Sequence, residues 1–394
     1  MPEGGSVASA RIAKRWNETL ITERLNITYP IVQGPLGGGG STPSLVSTVS
    51  NAGGLGSYGA LTLAPGDILN VAAEIRHLTS EPFALNLWVS NYDPDAVSLD
   101  DDASERVLDL LTPYFKELGM ERPAVPKAII QDFEEQAAAV IEARPAAFSF
   151  IFGIPSSKIL RTCRDRGIVT MGGATTVDEA IALQQAGVDI VIATGFESGG
   201  AKPSFLKPAQ ESLTGTFALI PQVVDATKLP VIAAGGIADG RGLAAALSLG
   251  ASGVQIGTAF LACNESGATQ LERDSLFQPD ARYTVLSRVF AGRLTRSIQN
   301  RYFSEMKTYE ERLPGFPTQA MLTGALREAA LAQGRTDLLW LWAGQAAPLL
   351  RFRKAGELME ALVQEADQLS ARFWQPQVLA RVGSTKLDVE HASS

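Results

Sequence analysis

The sequence predicts an α/β fold, a (β/α)8 barrel with a helical insertion after its third strand and a helical subdomain at the C-terminal end. Three observations predict it. Eight short apolar runs, many β-branched and ending in glycine, recur between residues 31 and 261. Helix-like segments separate most of them, and beyond residue 262 the pattern becomes chiefly helical.

The runs are "IVQGPL" (31–36), "GLGSYG" (54–59), "FALNLWV" (83–89), "AFSFIFG" (147–153), "IVTMGG" (168–173), "DIVIATG" (189–195), "VIAAGG" (231–236) and "GVQIGTAFL" (253–261). They are continuously apolar rather than alternating, as expected of parallel strands covered on both faces. The intervening segments, such as "TPSLVSTVSNAG", "TTVDEAIALQQAG" and "DGRGLAAALSLGA", start at Ser, Thr or Asp and stop near Gly. Those residues satisfy orphan amides at the first turn and accept a left-handed conformation at the last.

Residues 90–130 lengthen the third unit and are expected to fold over the barrel mouth as a helical insertion. Asp100, Asp101 and Asp102 within it read as a solvated helix start, because carboxylates favour helix N-termini. The segments "RYTVLSRVFAG", "TDLLWLWAG" and "AGELMEALVQEADQLSARFW" are read as helices of the subdomain. The expected organisation is a tail over 1–20, the barrel over 21–265, the subdomain packed on it over 266–380, and a second tail over 381–394.

Composition narrows the function. A formal charge of −8 leaves no basic field for nucleic acid, so a small-molecule substrate is the expected partner. Two cysteines, Cys163 and Cys263, offer neither a disulfide framework nor metal spacing and fit a reducing, cytoplasmic setting. The run "DLLWLWAGQAAPLL" (337–350) is too short to span a bilayer, and the start "MPEGGSVASARIAKRW" lacks the apolar core of a secretory signal. No Gly-x-Ser-x-Gly elbow and no His-x-x-x-His pair occurs, which argues against hydrolase and metalloenzyme chemistry.

In a barrel of this kind the site lies at the C-terminal strand ends, and the loops after strands seven and eight often bind phosphate. Here these loops read "AAGGIADG" and "QIGT", placing Gly235, Gly236, Gly257 and Thr258 where backbone amides could meet phosphate oxygens. A flat apolar group would then lie across the mouth, near the open "GPLGGGGST" of the first run, where Leu36 is the nearest side chain. Asn86 is a polar amide inside an apolar strand and must find partners, either a ring edge or neighbouring backbone.

Together these segments resemble the nitronate monooxygenase family, FMN-dependent barrel enzymes. The likeness is carried by "PIVQGPLGGGGSTPSLVSTVSNAGGLGSYGA", "PFALNLWV", "FSFIFGIP", "PVIAAGGIADGRGLAAALSLGASGVQIGTAFL" and the tail "LTGALREAALAQG…LWAGQAA". The resemblance implies FMN held by Asn86, by Gly199 and Gly200 in the loop after strand six, by Gly235 and Gly236, and by Gln255, Ile256, Gly257 and Thr258. Pro35, Leu36, Gly37 and Thr194 would complete its surroundings, although the family usually shows Pro-Met where Pro35-Leu36 stands and Gln where Thr194 stands.

A third departure concerns chemistry. The family pattern Glu-Ala-Gly-Gly-His is here Glu197-Ser198-Gly199-Gly200-Ala201, so Ala201 occupies the position of the histidine that removes a proton α to a nitro group. The chain's two histidines, His77 and His391, lie on an expected outer helix and at the fourth position from the end of the sequence, and neither is a substitute. Lys202 is the new charged group in the loop: it reads as a solvated surface lysine, or as a base or anion-attracting group if desolvated. Glu197 reads as a structural carboxylate or an acid–base group.

A nitronate has already lost its proton. The resemblance with these departures implies an FMN-dependent oxidoreductase that oxidises an anionic nitronate or similar small substrate with O2, without histidine. The alternatives are an NAD(P)H-dependent FMN reductase of quinones or activated alkenes, and a flavin-binding protein without turnover. The sequence leaves a homo-oligomer open.

Overall fold

The computed structural model describes residues 15–373 apart from 91–92, 94–95, 100 and 127–130. Asp100, His391 and most of both expected tails lie outside the described residues.

Each of the eight apolar runs contains a strand: β1 (Ile31–Gln33), β2 (Gly56–Gly59), β3 (Phe83–Trp88), β4 (Ala147–Ile151), β5 (Val169–Ala174), β6 (Ile190–Thr194), β8 (Val231–Ala234) and β9 (Gly253–Ile256). They form one parallel sheet in the order β1-β9-β8-β6-β5-β4-β3-β2. A parallel bridge between Val32 and Leu55 brings its ends together, with the Leu55 amide donating to Ile31 O and the Gln33 amide to Leu55 O, both at 2.9 Å.

Alternation along the strands explains the apolar runs. On β6, Ile190 and Ile192 point into the barrel beside Val32, Leu55, Ala84, Ala147, Met171 and Ile232. Val191 and Ala193 face the helices. Ile21 and Leu25, from a short helix capped by Thr19, join the interior group at the strand starts and close the bottom of the barrel. The outer helices start as their sequences require, with Thr42, Asp132, Ser156, Thr176 and Asp239 accepting from first-turn amides.

The helix Asp102–Glu117 carries the insertion, with Asp101 at its N-cap and Asp102 in its first turn. Its buried face, Val107, Leu108, Leu111, Tyr114 and Phe115, shares a second core with Leu322, Leu326, Tyr302 and Leu341. The insertion and the C-terminal region are therefore cemented together.

Two segments read as helices are not helical. "RYTVLSRVFAG" enters β10 (Thr284–Ser287), which pairs with β11 (Thr295–Ile298), and β11 pairs in turn with β7 (Gly200–Ala201), all antiparallel. Gly292 at φ +83° permits the connection. "TDLLWLWAG" makes one 3-10 turn at Thr336–Leu338 and then runs extended, with Trp342 bridging Ser297 and the Ile298 amide donating to Leu341 O at 2.8 Å.

The final helix Ala355–Phe373 belongs to the barrel's core rather than to the second one. Ala355, Leu358, Met359, Leu362 and Ala366 pack with the helix–strand layer, and Glu365 accepts from the Gly240 amide at 2.8 Å. It stands as the eighth outer helix, so residues 262–354 are a long excursion between β9 and the helix that follows it.

Candidate active site

The inner face of the barrel turns polar toward its C-terminal end. Period-two alternation puts Ser57, Asn86, Ser149, Thr194 and Gln255 on the inward side, above the apolar layer. Asn86 is buried and its Nδ2 donates to Ser149 Oγ at 2.9 Å, so a neighbouring side chain supplies one partner. The Gln255 Oε1 and Ser57 Oγ atoms are buried without a partner. An unpaired buried acceptor is costly, so these atoms fit a ligand whose ring edge carries hydrogen-bonding groups.

The loops after β8 and β9 differ in freedom. Gly235 (φ +101°) is closely surrounded, since a Cβ there would lie 3.0–3.1 Å from Gly195 O and Ser198 N, whereas at the exposed Gly236 (φ +73°) it would make ordinary contact with Glu197, 3.5 Å from its Cβ. At Gly257 a Cβ would meet nothing within 4 Å. Ile256 is buried in the outer core and anchors that loop. Thr258 is half-buried, and its Oγ1 accepts from the Gly344 amide at 2.9 Å. The helix after β8 supplies no free N-terminus: the Asp239 carboxylate already accepts from the Arg241 and Gly242 amides at 3.0 and 3.2 Å. After β9, by contrast, Gly257 is the N-cap of a short helical turn, Thr258–Leu261, that carries no side-chain cap.

The end of β1 forms an apolar flank. Leu36 is half-buried and touches both cores, its amide held by Ser41 Oγ at 2.9 Å, with Pro35 beside it. Gly37 faces open space. At Gly38 a Cβ would come 2.8 Å from the Trp342 ring, so the indole lies directly over this loop.

The loop after β6 is fastened from several sides. Glu197 accepts from the Thr216 amide (2.9 Å) and hydroxyl (2.8 Å), which makes it the cap of the helix Thr216–Ala226, the structural alternative for this carboxylate. Gly199 packs against the chain at Gly344, where a Cβ would lie 2.7 Å from Gly344 N. Ala201 pairs with Thr295, and Gly200 with Arg296. Thr194, half-buried, turns its hydroxyl back to Ile192 O.

Lys202 is not a solvated surface residue: it is 3% exposed, and its Nζ donates to Ser198 O, to Ser198 Oγ (2.6 Å) and to Phe196 O (3.3 Å). Burial lowers its ammonium to about 7, the Arg296 charge adds to the effect, and Glu197 opposes it. Arg296 donates through Nε to the same Phe196 O at 3.0 Å and stacks on the Phe196 ring.

Sequence reasoning missed three contributors. Arg296 and Trp342 come from the C-terminal region, and only the pairing of β11 with β7 and with the 342 segment brings them to the mouth. Arg293 is buried among the rings of Phe152, Phe316 and Trp88, with its guanidinium 4.0–5.2 Å from their centroids and an ion pair to Asp93 at 2.7 Å. No spacing signal marks these residues, since each acts through a partner far away in sequence. His77 lies exposed on the outer helix Pro65–Leu78. Burial raises the Cys163 and Cys263 thiols to about 11 and about 12, so neither is a thiolate nucleophile. Among the described residues no three His, Cys, Asp or Glu side chains group as a metal site, and no helix is long and apolar enough to cross a membrane.

The nitronate monooxygenase family model matches residues 18–365. Probable nitronate monooxygenases of Staphylococcus haemolyticus and Staphylococcus aureus are 40% and 39% identical, covering 90% of this chain and 98% and 99% of theirs. Among solved structures, a nitroalkane oxidase from Streptomyces ansochromogenes superposes with a TM-score of 0.79 at 32% identity, over 89% of this chain and 99% of that one. FabK from Thermotoga maritima gives 0.70 at 28% identity, over 90% and 98%. The chain is an oxidoreductase that belongs to the nitronate monooxygenase family.

Proposed function

We propose that the protein is an FMN-dependent oxidoreductase that oxidises an anionic nitronate, or a similar small anion, with O2 as acceptor. Ala201 stands in this reading where the family has its proton-abstracting histidine. The observation that carries it is the state of the strand-six loop: Ala201 offers no base, Glu197 is spent as a helix cap and Lys202 is bonded to three loop oxygens. A positioned base is worth about 10²- to 10⁴-fold in such a step. Without one, a substrate that arrives already ionised is favoured over its neutral acid.

When bound, FMN supplies the two-electron acceptor and its reoxidation by O2. The residues present fit it: the unpaired Gln255 Oε1 and Ser57 Oγ, with Asn86, suit a ring edge, and the open backbone at Gly257, with the exposed Gly236 nearby, suits a phosphate. Leu36 and Trp342 flank the mouth and keep water from the reacting face. Burial disfavours the charge on both Lys202 and Arg296, and an anion at the edge of the loop would offset that cost.

The test is the visible spectrum of the flavin-loaded protein under anaerobic conditions, with an alkyl nitronate, the neutral nitroalkane, NADH and NADPH added in turn. Bleaching by the nitronate and not by the nitroalkane is expected. Equal bleaching by the nitroalkane would refute the loss of proton abstraction. Bleaching by NADH or NADPH alone would establish the reductase reading instead, and no bleaching by any of them would leave a flavin-binding protein without turnover.

A further inference from the structure

We propose that Lys202 and Arg296 form a positioning clamp on the carbonyl of Phe196, which fixes the strand-six loop as a wall of the active site, and that Lys202 is not a proton-transferring base. The inference builds on the flavin reading of this rim but concerns the chain's own loop.

The geometry is that of a closed knot. Lys202 Nζ reaches back across the loop to Phe196 O, Ser198 O and Ser198 Oγ, so the residue at the loop's end holds the residues at its start. The Lys202 amide donates to Leu294 O at 2.9 Å, which ties the same point to the approach to β11. Arg296, on β11, donates to Phe196 O from the other side and to Thr284 Oγ1 at 3.1 Å. Gly199, Gly200 and Ala201, between the clamped ends, are held by Gly344 and by β11, leaving open space beside Gly200. Lys202 Nζ is 3% exposed and its three partners are all oxygens of its own loop, so it has no open approach to a substrate whether or not it carries the proton.

Two buried cations close to one another are costly, and a merely structural loop could be closed by neutral donors. Their use here fits a wall that must not shift when an anion binds beside it. The charged groups facing Lys202 are Arg296 from β11 and Glu197 from the loop, and Glu197 is already engaged by Thr216.

Lysine and arginine at position 202 separate a clamp from a base, because a guanidinium donates hydrogen bonds but does not deprotonate. The full chain would be compared as wild type, Lys202→Met, Lys202→Arg and Arg296→Gln, each first checked for a cooperative thermal transition. Two readouts are taken: hydrogen exchange of the 196–201 amides without flavin, and the anaerobic rate and apparent affinity for an alkyl nitronate with flavin. A clamp predicts that Lys202→Met and Arg296→Gln each lose protection on the order of tenfold, the equivalent of about one net hydrogen bond. Their double variant loses less than the sum, since both hold one carbonyl. Lys202→Arg recovers protection and reduces flavin within a few-fold of wild type.

The proposal is overturned if Lys202→Met leaves loop exchange unchanged while abolishing flavin reduction. If Lys202→Arg fails to fold, additivity of the Lys202→Met and Arg296→Gln effects on exchange overturns it equally. Failure of the flavin reading would show separately, as a wild-type protein that binds no FMN while its loop still depends on both cations.

Discussion

Gly257 separates what the fold needs from what a cofactor needs. Its backbone lies at φ −101° and ψ −71°, a region open to any residue, and a Cβ built there meets nothing within 4 Å. Gly257→Ala should therefore leave the protein without flavin unharmed. Where the native conformation tolerates it, such a change stabilises by about 0.4–1 kcal/mol through the unfolded chain. The same methyl would stand in the space where the proposed phosphate approaches the Gly257 and Thr258 amides. Hydrogen bonds to a charged group contribute about 1.5–3 kcal/mol each, so displacing one weakens FMN by roughly 10- to 150-fold. Quenching of flavin fluorescence on titration gives the affinity, and thermal unfolding of the flavin-free protein gives the stability. Unchanged FMN affinity would refute the placement of the phosphate at this loop. A large loss of stability without flavin would refute the open space itself.

Three other outcomes follow from the same geometry. Gly199→Ala should cost about 1–3 kcal/mol, because its Cβ falls 2.7–2.8 Å from Gly344 N and Ala343 C and the backbone has to move; urea unfolding measures it, and an unchanged midpoint contradicts the close approach. Ala201→His should raise flavin reduction by a neutral nitroalkane by about 10²- to 10⁴-fold over the parent, with little change for the nitronate, in anaerobic stopped-flow. Lys202 predicts a pH trend. Its folded value lies near 7 against an ordinary 10.5, so over that window the unfolded chain holds the proton and the folded chain does not. Stability contributed by this group therefore rises with pH from about 7 to 10.5 and is flat below, and Lys202→Met should remove the rise in denaturant unfolding at pH 7 and 9.

The barrel was legible because its strands are covered on both faces. Val191 and Ile192 must both be apolar, one facing the helices and the other the interior, and the result is a run that no exposed strand would show. The segment around Trp340 and Trp342 was misread for the same reason turned round. A short apolar run is as compatible with a buried helix as with a buried strand, and periodicity alone does not separate them. Here the choice is made by residues distant in sequence: Ser297 bridges Trp342, and Gly199 requires the bare backbone of Gly344. Lys202 was illegible in the same way. Nothing in "GGAKPSF" states that three oxygens from residues 196 and 198 will turn back to receive its ammonium.

Those distant partners share one origin. Trp342 lies over the strand-one loop at Gly38, Gly344 meets Gly199 and Thr258, and β11 pairs with Gly200 and Ala201. Each contact reaches a loop at the C-terminal rim of the barrel, and all come from the excursion between β9 and the final helix. Because Ala355–Phe373 packs among the barrel's outer helices, the excursion is tied to the barrel at both ends. A segment tethered in that way cannot swing clear as a hinged lid without breaking the β11–β7 pairing. Its contacts wall in the loops of the candidate site, and Ala201 lies on, and Lys202 directly after, the short strand β7 where the two parts of the chain are joined.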